Sequence, residues 1–209
     1  IEVASWREYV DGILYVGLAG QELGNAVADV ISGKVNPSGK LATTFSVDYK
    51  SIPSSKNFPG NAQEVDYYED IYVGYRFFET FDVETAYPFG FGLSYTTFEY
   101  SDFKMTGNAA DGTLSVSVTV KNTGDDAGKE TVQIYLNAPY TLYDQEHKVE
   151  KASANLVGFG KTDVLEPGET ETLLIPVKKS DFASFDTYGY GTYILDAGDY
   201  YFTAAKDSH

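Results

Sequence analysis

The 209-residue sequence has no cysteine, one methionine, one tryptophan and two histidines. The lack of cysteine removes disulfides, thiolate metal sites and cysteine nucleophiles together, and leaves the compartment open. His147 and His209 stand far apart with no second ligand at metal spacing, so each reads as a surface residue and no metal site is expected. Neither lies near a Gly-flanked serine, which argues against Ser-His-Asp chemistry. Cationic side chains are scarce: Lys and Arg number 15 against 31 Asp and Glu, for a net charge of −16. The excess is not confined to a tail, since residues 1–97 carry 6 against 13 and residues 98–209 carry 9 against 18. A chain this acidic repels phosphate backbones and anionic lipid, so neither nucleic acid nor a membrane surface is expected as a partner. No apolar run is long enough to span a bilayer. No signal-peptide pattern opens the sequence, and its first residue is Ile rather than Met, as in a chain whose start has been cut away. No Asn-X-Ser/Thr acceptor occurs, because Asn36 is followed by Pro37.

What is abundant is aromatic. Tyr and Phe number 18 and 13, bringing aromatics to 15% of the chain. Tyrosine-rich strands and sugar-facing surfaces both have this composition. The first half reads as strand–helix–strand, the grammar of an α/β fold. Residues 12–18 (GILYVGL) form a near-continuous apolar run, which predicts a parallel strand buried on both faces. Leu23, Ala26, Val27, Val30 and Ile31 then fall on one helical stripe, with Gly33 at the C-cap position. Residues 36–40 read as a turn and 41–45 as a short strand. From Ser46 to Tyr68 the periodicity disappears into a long loop, and 71–78 (IYVGYRFF) reads as a strand.

Beyond Phe98 the pattern changes. Residues 113–122, 129–137 and 171–177 alternate apolar and polar, and 192–205 reads as two strands around an Asp-Ala-Gly turn. No helix-length stripe intervenes, so an antiparallel sandwich is expected. The boundary falls near residue 97. Just before it lies YPFGFGLSYTTF (87–98), with no charge and no helical or strand period. NLVGFGKT (155–162) ends like a phosphate loop. It lacks that loop's first glycine and sits among strands with no helix to follow, so a strand running into a turn is the better reading. QEVDYYEDIY (63–72) combines four acids with three tyrosines. That mixture suits a sugar site, where acids move protons or bind hydroxyls and rings cover apolar sugar faces, and it equally suits a solvated acidic loop.

In order along the chain, the stretches 20–45, 67–81, 87–101, 118–136 and 198–205 resemble the C-terminal half of glycoside hydrolase family 3, the β-glucosidase/β-xylosidase family. The resemblance implies an α/β fragment, the end of an incomplete α/β sandwich, over residues 1–97. An all-β fibronectin type III-like (immunoglobulin-like) sandwich follows over 98–209. It makes 87–98 a connector whose rings Phe89, Phe91, Tyr95 and Phe98 fill an interdomain seam, with Gly90 and Gly92 where side chains would clash. It implies a retaining exo-glycosidase, foremost a β-glucosidase, otherwise a β-xylosidase. Such an enzyme needs no cofactor and acts on a β-linked oligosaccharide or glycoside. The family's nucleophile Asp belongs to a (β/α)8 barrel and its acid/base Glu to a loop preceding residues 12–18, so no catalytic residue is expected in this chain. The barrel and the rest of the α/β domain are the implied partners. Tyr67, Tyr68 and Glu69 are the candidate substrate-rim residues. One departure is Asp70, where the family's Glu-Gly-Ile has glycine. A carbohydrate-binding or adhesion module without chemistry is the rival reading, which the sandwich allows and the α/β half does not.

Overall fold

The computed structural model describes residues 1–108 and 112–209. Its elements run α1 (Leu23–Ile31), β1 (Phe45–Ser46), α2 (Tyr75–Thr80), β2 (Thr85–Tyr87), β3 (Phe98–Asn108), β4 (Thr113–Asn122), β5 (Thr131–Asn137), α3 (Leu142–His147), β6 (Asn155–Lys161), β7 (Thr170–Lys178), β8 (Ser184–Asp186), β9 (Thr192–Ile194) and β10 (Tyr201–Ala205).

The alternating segments of the second half fold as their period requires. β3, β4 and β7 form one antiparallel sheet, and β10, β5 and β6 a second. Val116, Val118 and Val120 of β4 meet Val132, Ile134 and Leu136 of β5 in a core completed by Val157, Leu173, Ile175 and Val177. The two sheets pack into the expected all-β sandwich, which follows the helices and short strand pair of the first half. The glycines of NLVGFGKT lie inside β6, where side chains at Gly158 and Gly160 would press on Ile175 of β7. They let the two sheets approach at that edge.

Several expectations fail, for physical reasons. Residues 12–18 are not a buried strand. The run lies outside any strand and is exposed throughout, because none of the described strands pairs with it. The segment 71–78 is not a strand either. Gly74, at φ 61°, turns the chain and α2 begins at the next residue. In the helix Phe77 and Phe81, four residues apart, bring their rings to 5.2 Å, and Phe78 is buried, so packing overrides the strand preference of the aromatics. The strand expected over 41–45 shrinks to Phe45–Ser46, paired with β2. The predicted stripe of α1 is helical, but none of its residues is buried. The two strands flanking the Asp-Ala-Gly turn do not pair with each other: β9 joins β8, and β10 joins β5. A short helix, α3, interrupts the sandwich where none was expected.

The connector divides its rings among three environments. Phe98 enters the sandwich core. Phe89 stacks on Tyr75 at 4.7 Å, and Phe91 lies tilted against Tyr87 at 5.0 Å. Tyr95 does not fill the seam as expected; its ring is half exposed, and its hydroxyl donates to the carbonyl of Val30 at 2.8 Å. Gly90 takes φ 81°, and a side chain there would overlap the Gln133 amide. A side chain at Gly92 would overlap the Gly39 carbonyl.

β5 is the wall common to both halves. Its inner residues face the core. On its outer face Gln133 and Tyr135 are also buried. Gln133 Nε2 donates to the carbonyls of Gly90 (3.1 Å) and Lys206 (2.6 Å), and the Tyr135 hydroxyl donates to Gln133 Oε1 at 2.6 Å. Nearby, Lys40 pairs with the buried Glu130 at 3.1 Å, while Asn36 Nδ2 donates to the Ala127 carbonyl at 3.0 Å. Each of these buried or half-buried side chains thus has a polar partner, as burial demands.

Candidate functional site

The loop leading to α2 is built from short-range hydrogen bonds rather than from packing. Asn61 Oδ1 accepts from the amides of Gln63 and Glu64, both at 2.9 Å, and Asn57 Nδ2 donates to the Asp66 carbonyl. The three rim candidates share one turn, in which the Asp70 amide donates to the Tyr67 carbonyl at 3.3 Å and the Tyr72 amide to the Glu69 carbonyl at 2.7 Å. Tyr67 and Tyr68 are 89% and 68% exposed, and Glu69 is half-buried. The Tyr68 phenol is pushed up by its hydrogen bond to the Asp66 carboxylate, so it stays a neutral donor. Asp70 completes the turn at φ 45°, the left-handed conformation that glycine adopts without strain.

The turn hangs from a helix that the sandwich holds. The Leu156 amide donates to the Tyr75 hydroxyl at 2.9 Å, and the Ser153 amide to Thr80 Oγ1 at 3.0 Å. Ser208 Oγ donates to Glu79 at 3.0 Å. The Tyr72 ring packs edge-on against Phe81 at 5.0 Å. Burial, then the nearby Glu150 carboxylate, pushes the Tyr72 phenol up. Glu150 is itself pushed up, by burial and then by Asp70.

Beside the end of α2 opens a cavity of about 480 Å³, with Thr80, Tyr140, Lys151, Ser153, Asp199 and Tyr201 in its walls. Lys151 offers it no free donor. Its ammonium is committed to the Pro139 carbonyl (2.8 Å), Asp144 (2.8 Å) and Asp196 (2.5 Å). Burial pushes the Asp144 carboxyl up, but Lys151 and the amide and hydroxyl of Thr141 outweigh it and hold the group below the usual carboxylate range. Its Oδ1 is buried with no partner among the described residues. The pattern Thr141-Leu-Tyr-Asp144 is a capping box, the one local signal in the sequence for α3. Lys151 and Asp196 carried no such local signal.

Among the described residues no group of three or more His, Cys, Asp or Glu is placed to hold a metal ion. His147 is half-buried, stacked on Tyr143 at 4.0 Å; His209 is exposed, 3.2 Å from Glu79.

The Glycosyl hydrolase family 3 C-terminal domain matches residues 1–95, and the Fibronectin type III-like domain matches residues 130–208. Thermostable beta-glucosidase B of Acetivibrio thermocellus is 44% identical over 184 residues, covering 87% of this chain and 23% of its own length. An exo-alpha-(1->6)-L-arabinopyranosidase of Bifidobacterium longum is 39% identical over 200 residues, covering 96% of this chain and 25% of its own. The structure of beta-glucosidase 3B from Thermotoga neapolitana in complex with glucose is 47% identical, with a TM-score of 0.88 over 100% of this chain and 28% of that one. The chain thus spans about a quarter of the length of these relatives. With both domains matched in order and relatives aligned along nearly all of it, the chain belongs to glycoside hydrolase family 3 and corresponds to the C-terminal part of its members.

Proposed function

We propose that the chain is the C-terminal scaffold of a retaining exo-β-glycosidase that removes terminal β-D-glucosyl residues. The observation that carries this reading is the 47% identity to a glucose-bound β-glucosidase over the whole chain. In a retaining enzyme one carboxylate attacks the anomeric carbon while a second carboxylic acid protonates the leaving oxygen, and water then hydrolyses the glycosyl-enzyme. Both carboxylates are assigned to parts of the protein other than these residues: a (β/α)8 barrel and the remainder of the α/β domain. The chain divides at residue 97 into the end of that domain and the sandwich. The sandwich grips α2, and α2 holds the turn that presents Tyr67, Tyr68 and Glu69 at the rim of the site. The exposed rings there are suited to an outer sugar, and the Glu69 carboxylate to its hydroxyls.

The test is kinetic, on the intact enzyme. Tyr68→Ala is expected to raise KM severalfold for a β-linked disaccharide and to leave KM for an aryl β-glucoside nearly unchanged, because only the disaccharide fills the outer subsite. Equal effects on both substrates, with an unchanged melting temperature, would remove Tyr68 from the rim. A second reading, an exo-glycosidase for another pyranose, is favoured by the arabinopyranosidase among the relatives. A comparison of kcat/KM on aryl glucoside, xyloside and arabinopyranoside decides between them.

A further inference from the structure

The sandwich carries an aromatic platform at its β8–β9 hairpin. At the β8–β9 hairpin the carboxylate of Asp186 is fully buried. It accepts the Tyr143 hydroxyl at 2.6 Å and the amides of Gly189 and Tyr190, both at 2.7 Å. One buried charge thereby anchors the Tyr143 ring by its hydroxyl and the backbone that carries Tyr190 by its amide. Tyr143, on α3, lies between His147 at 4.0 Å and Tyr190 at 5.7 Å, with the Tyr190 ring only 14° from parallel. Gly189 is required at the corner, since a side chain there would overlap both the Tyr143 hydroxyl and Asp186. Yet Tyr190, the ring this arrangement immobilises, remains 74% exposed. Burying a carboxylate is costly unless it is fully hydrogen-bonded, and here its bonds hold the Tyr143 ring on which Tyr190 stacks and the turn from which Tyr190 projects. A ring fixed before its ligand arrives spares the ligand the entropy of ordering it.

Beside the platform lies a cavity of about 360 Å³ lined by Tyr143, Tyr190, Ile194, Leu195, Asp196 and Ala197. No Lys or Arg lines it, and the buried Lys151 is spent on Asp144 and Asp196. Aromatic faces with an acidic acceptor and no cation disfavour phosphate and carboxylate ligands and suit a neutral molecule with an apolar face and hydroxyl donors. The −16 net charge points the same way. We propose that Tyr190, backed by Tyr143 and flanked by Asp196, forms an accessory binding site for one or two pyranose units of a β-glucan chain. The outer ring face stacks on the sugar, and Asp196 Oδ1, the oxygen not paired with Lys151, accepts a hydroxyl. The site is built wholly from sandwich residues and does not depend on the catalytic reading.

The test is affinity electrophoresis of the 209-residue chain in native gels containing soluble mixed-linkage β-glucan. The wild type is expected to be retarded in proportion to glucan concentration. Tyr190→Ala is expected to lower the apparent affinity about tenfold, at the upper end of what one stacked ring contributes. Tyr143→Phe keeps its ring but frees it from Asp186, and is expected to give an intermediate loss. Tyr49→Ala, which removes an exposed tyrosine from the first half, is the control and is expected to match the wild type. Melting curves of the Tyr190 and Tyr49 variants should overlay the wild type, since both side chains are solvent-facing. Absence of retardation in the wild type, or equal retardation in Tyr190→Ala, overturns the proposal. So does a concentration-dependent dimer that Tyr190→Ala abolishes, because the ring face would then be covered by a second copy of the chain.

Discussion

Asp70 and Gly90 solve the same backbone problem in opposite ways. Both occupy positive φ, 45° and 81°, but only Gly90 does so without the strain a Cβ brings. At Gly90 there is also no room, because the Gln133 amide fills the space. At Asp70 the side chain is carried in the left-handed region, with its carboxylate close enough to Glu150 to push that group up after burial has done so. Asp70→Gly relieves about 1–2 kcal/mol of left-handed strain and gives back roughly half of that in unfolded-state entropy. The expected outcome is a rise in melting temperature of about 1–3 °C, read by calorimetry. A fall would mean that the Asp70 side chain makes a contact worth more than the strain. Asn122 shows what full satisfaction looks like: fully buried, it donates to the carbonyls of Asp126 and Leu165, both at 2.8 Å, and accepts from Thr96 at 2.7 Å and from the Gly124 amide at 3.1 Å.

At the scale of elements, the β8–β9 hairpin has a built-in acid limit. The Tyr143 hydroxyl, against the opposing push of burial and with help from two backbone amides, holds the Asp186 carboxyl below the usual carboxylate range. A group depressed in the folded state stabilises above its unfolded pKa, about 3.9, and loses that contribution as pH falls through the folded value. Asp186→Asn is therefore expected to melt below the wild type at pH 7, with the gap closing as pH drops below about 4. A gap independent of pH would assign the loss to shape rather than charge. The sequence made some elements legible and hid others. Strict alternation over 113–122 and 171–177 sufficed for β4 and β7, since a face that alternates can be buried only one way. The aromatic run 71–78 misled, because strand preference is a preference for packing surroundings and Gly74 changed those surroundings. The buried appearance of 12–18 came from composition, yet none of the described strands covers it. Of the rim candidates, residue type drew attention to Tyr67, Tyr68 and Glu69. The turn that unites them depends on a positive φ at Asp70, which the side chain there argued against. In the Lys151–Asp144–Asp196 cluster Asp196 lies 45 residues from Lys151, so the cluster has no local signature.

At the scale of the molecule, the two halves hold themselves together unequally. The main core draws every buried member from Phe98 onward, whereas the other cluster consists of Val3, Phe45 and Ala86. Exposed apolar side chains in the first half include Ile13, Leu14, Tyr15 and Leu18. Separate expression should show residues 98–209 melting cooperatively and residues 1–97 aggregating or failing to melt as a unit. A soluble, cooperatively melting 1–97 would overturn the division proposed at residue 97. The cut would also uncover Gln133 and Tyr135. That is where β5 has its widest consequence. Most surface strands can drift in sequence on their solvent side, but β5 has no such side. Residues 132, 134 and 136 answer to one set of neighbours and 133 and 135 to another. A sandwich borrowed from an unrelated protein, however stable, would arrive with the wrong outer face. Exchange of this module between proteins is thus restricted to donors that bring an amide and a phenol at those two places.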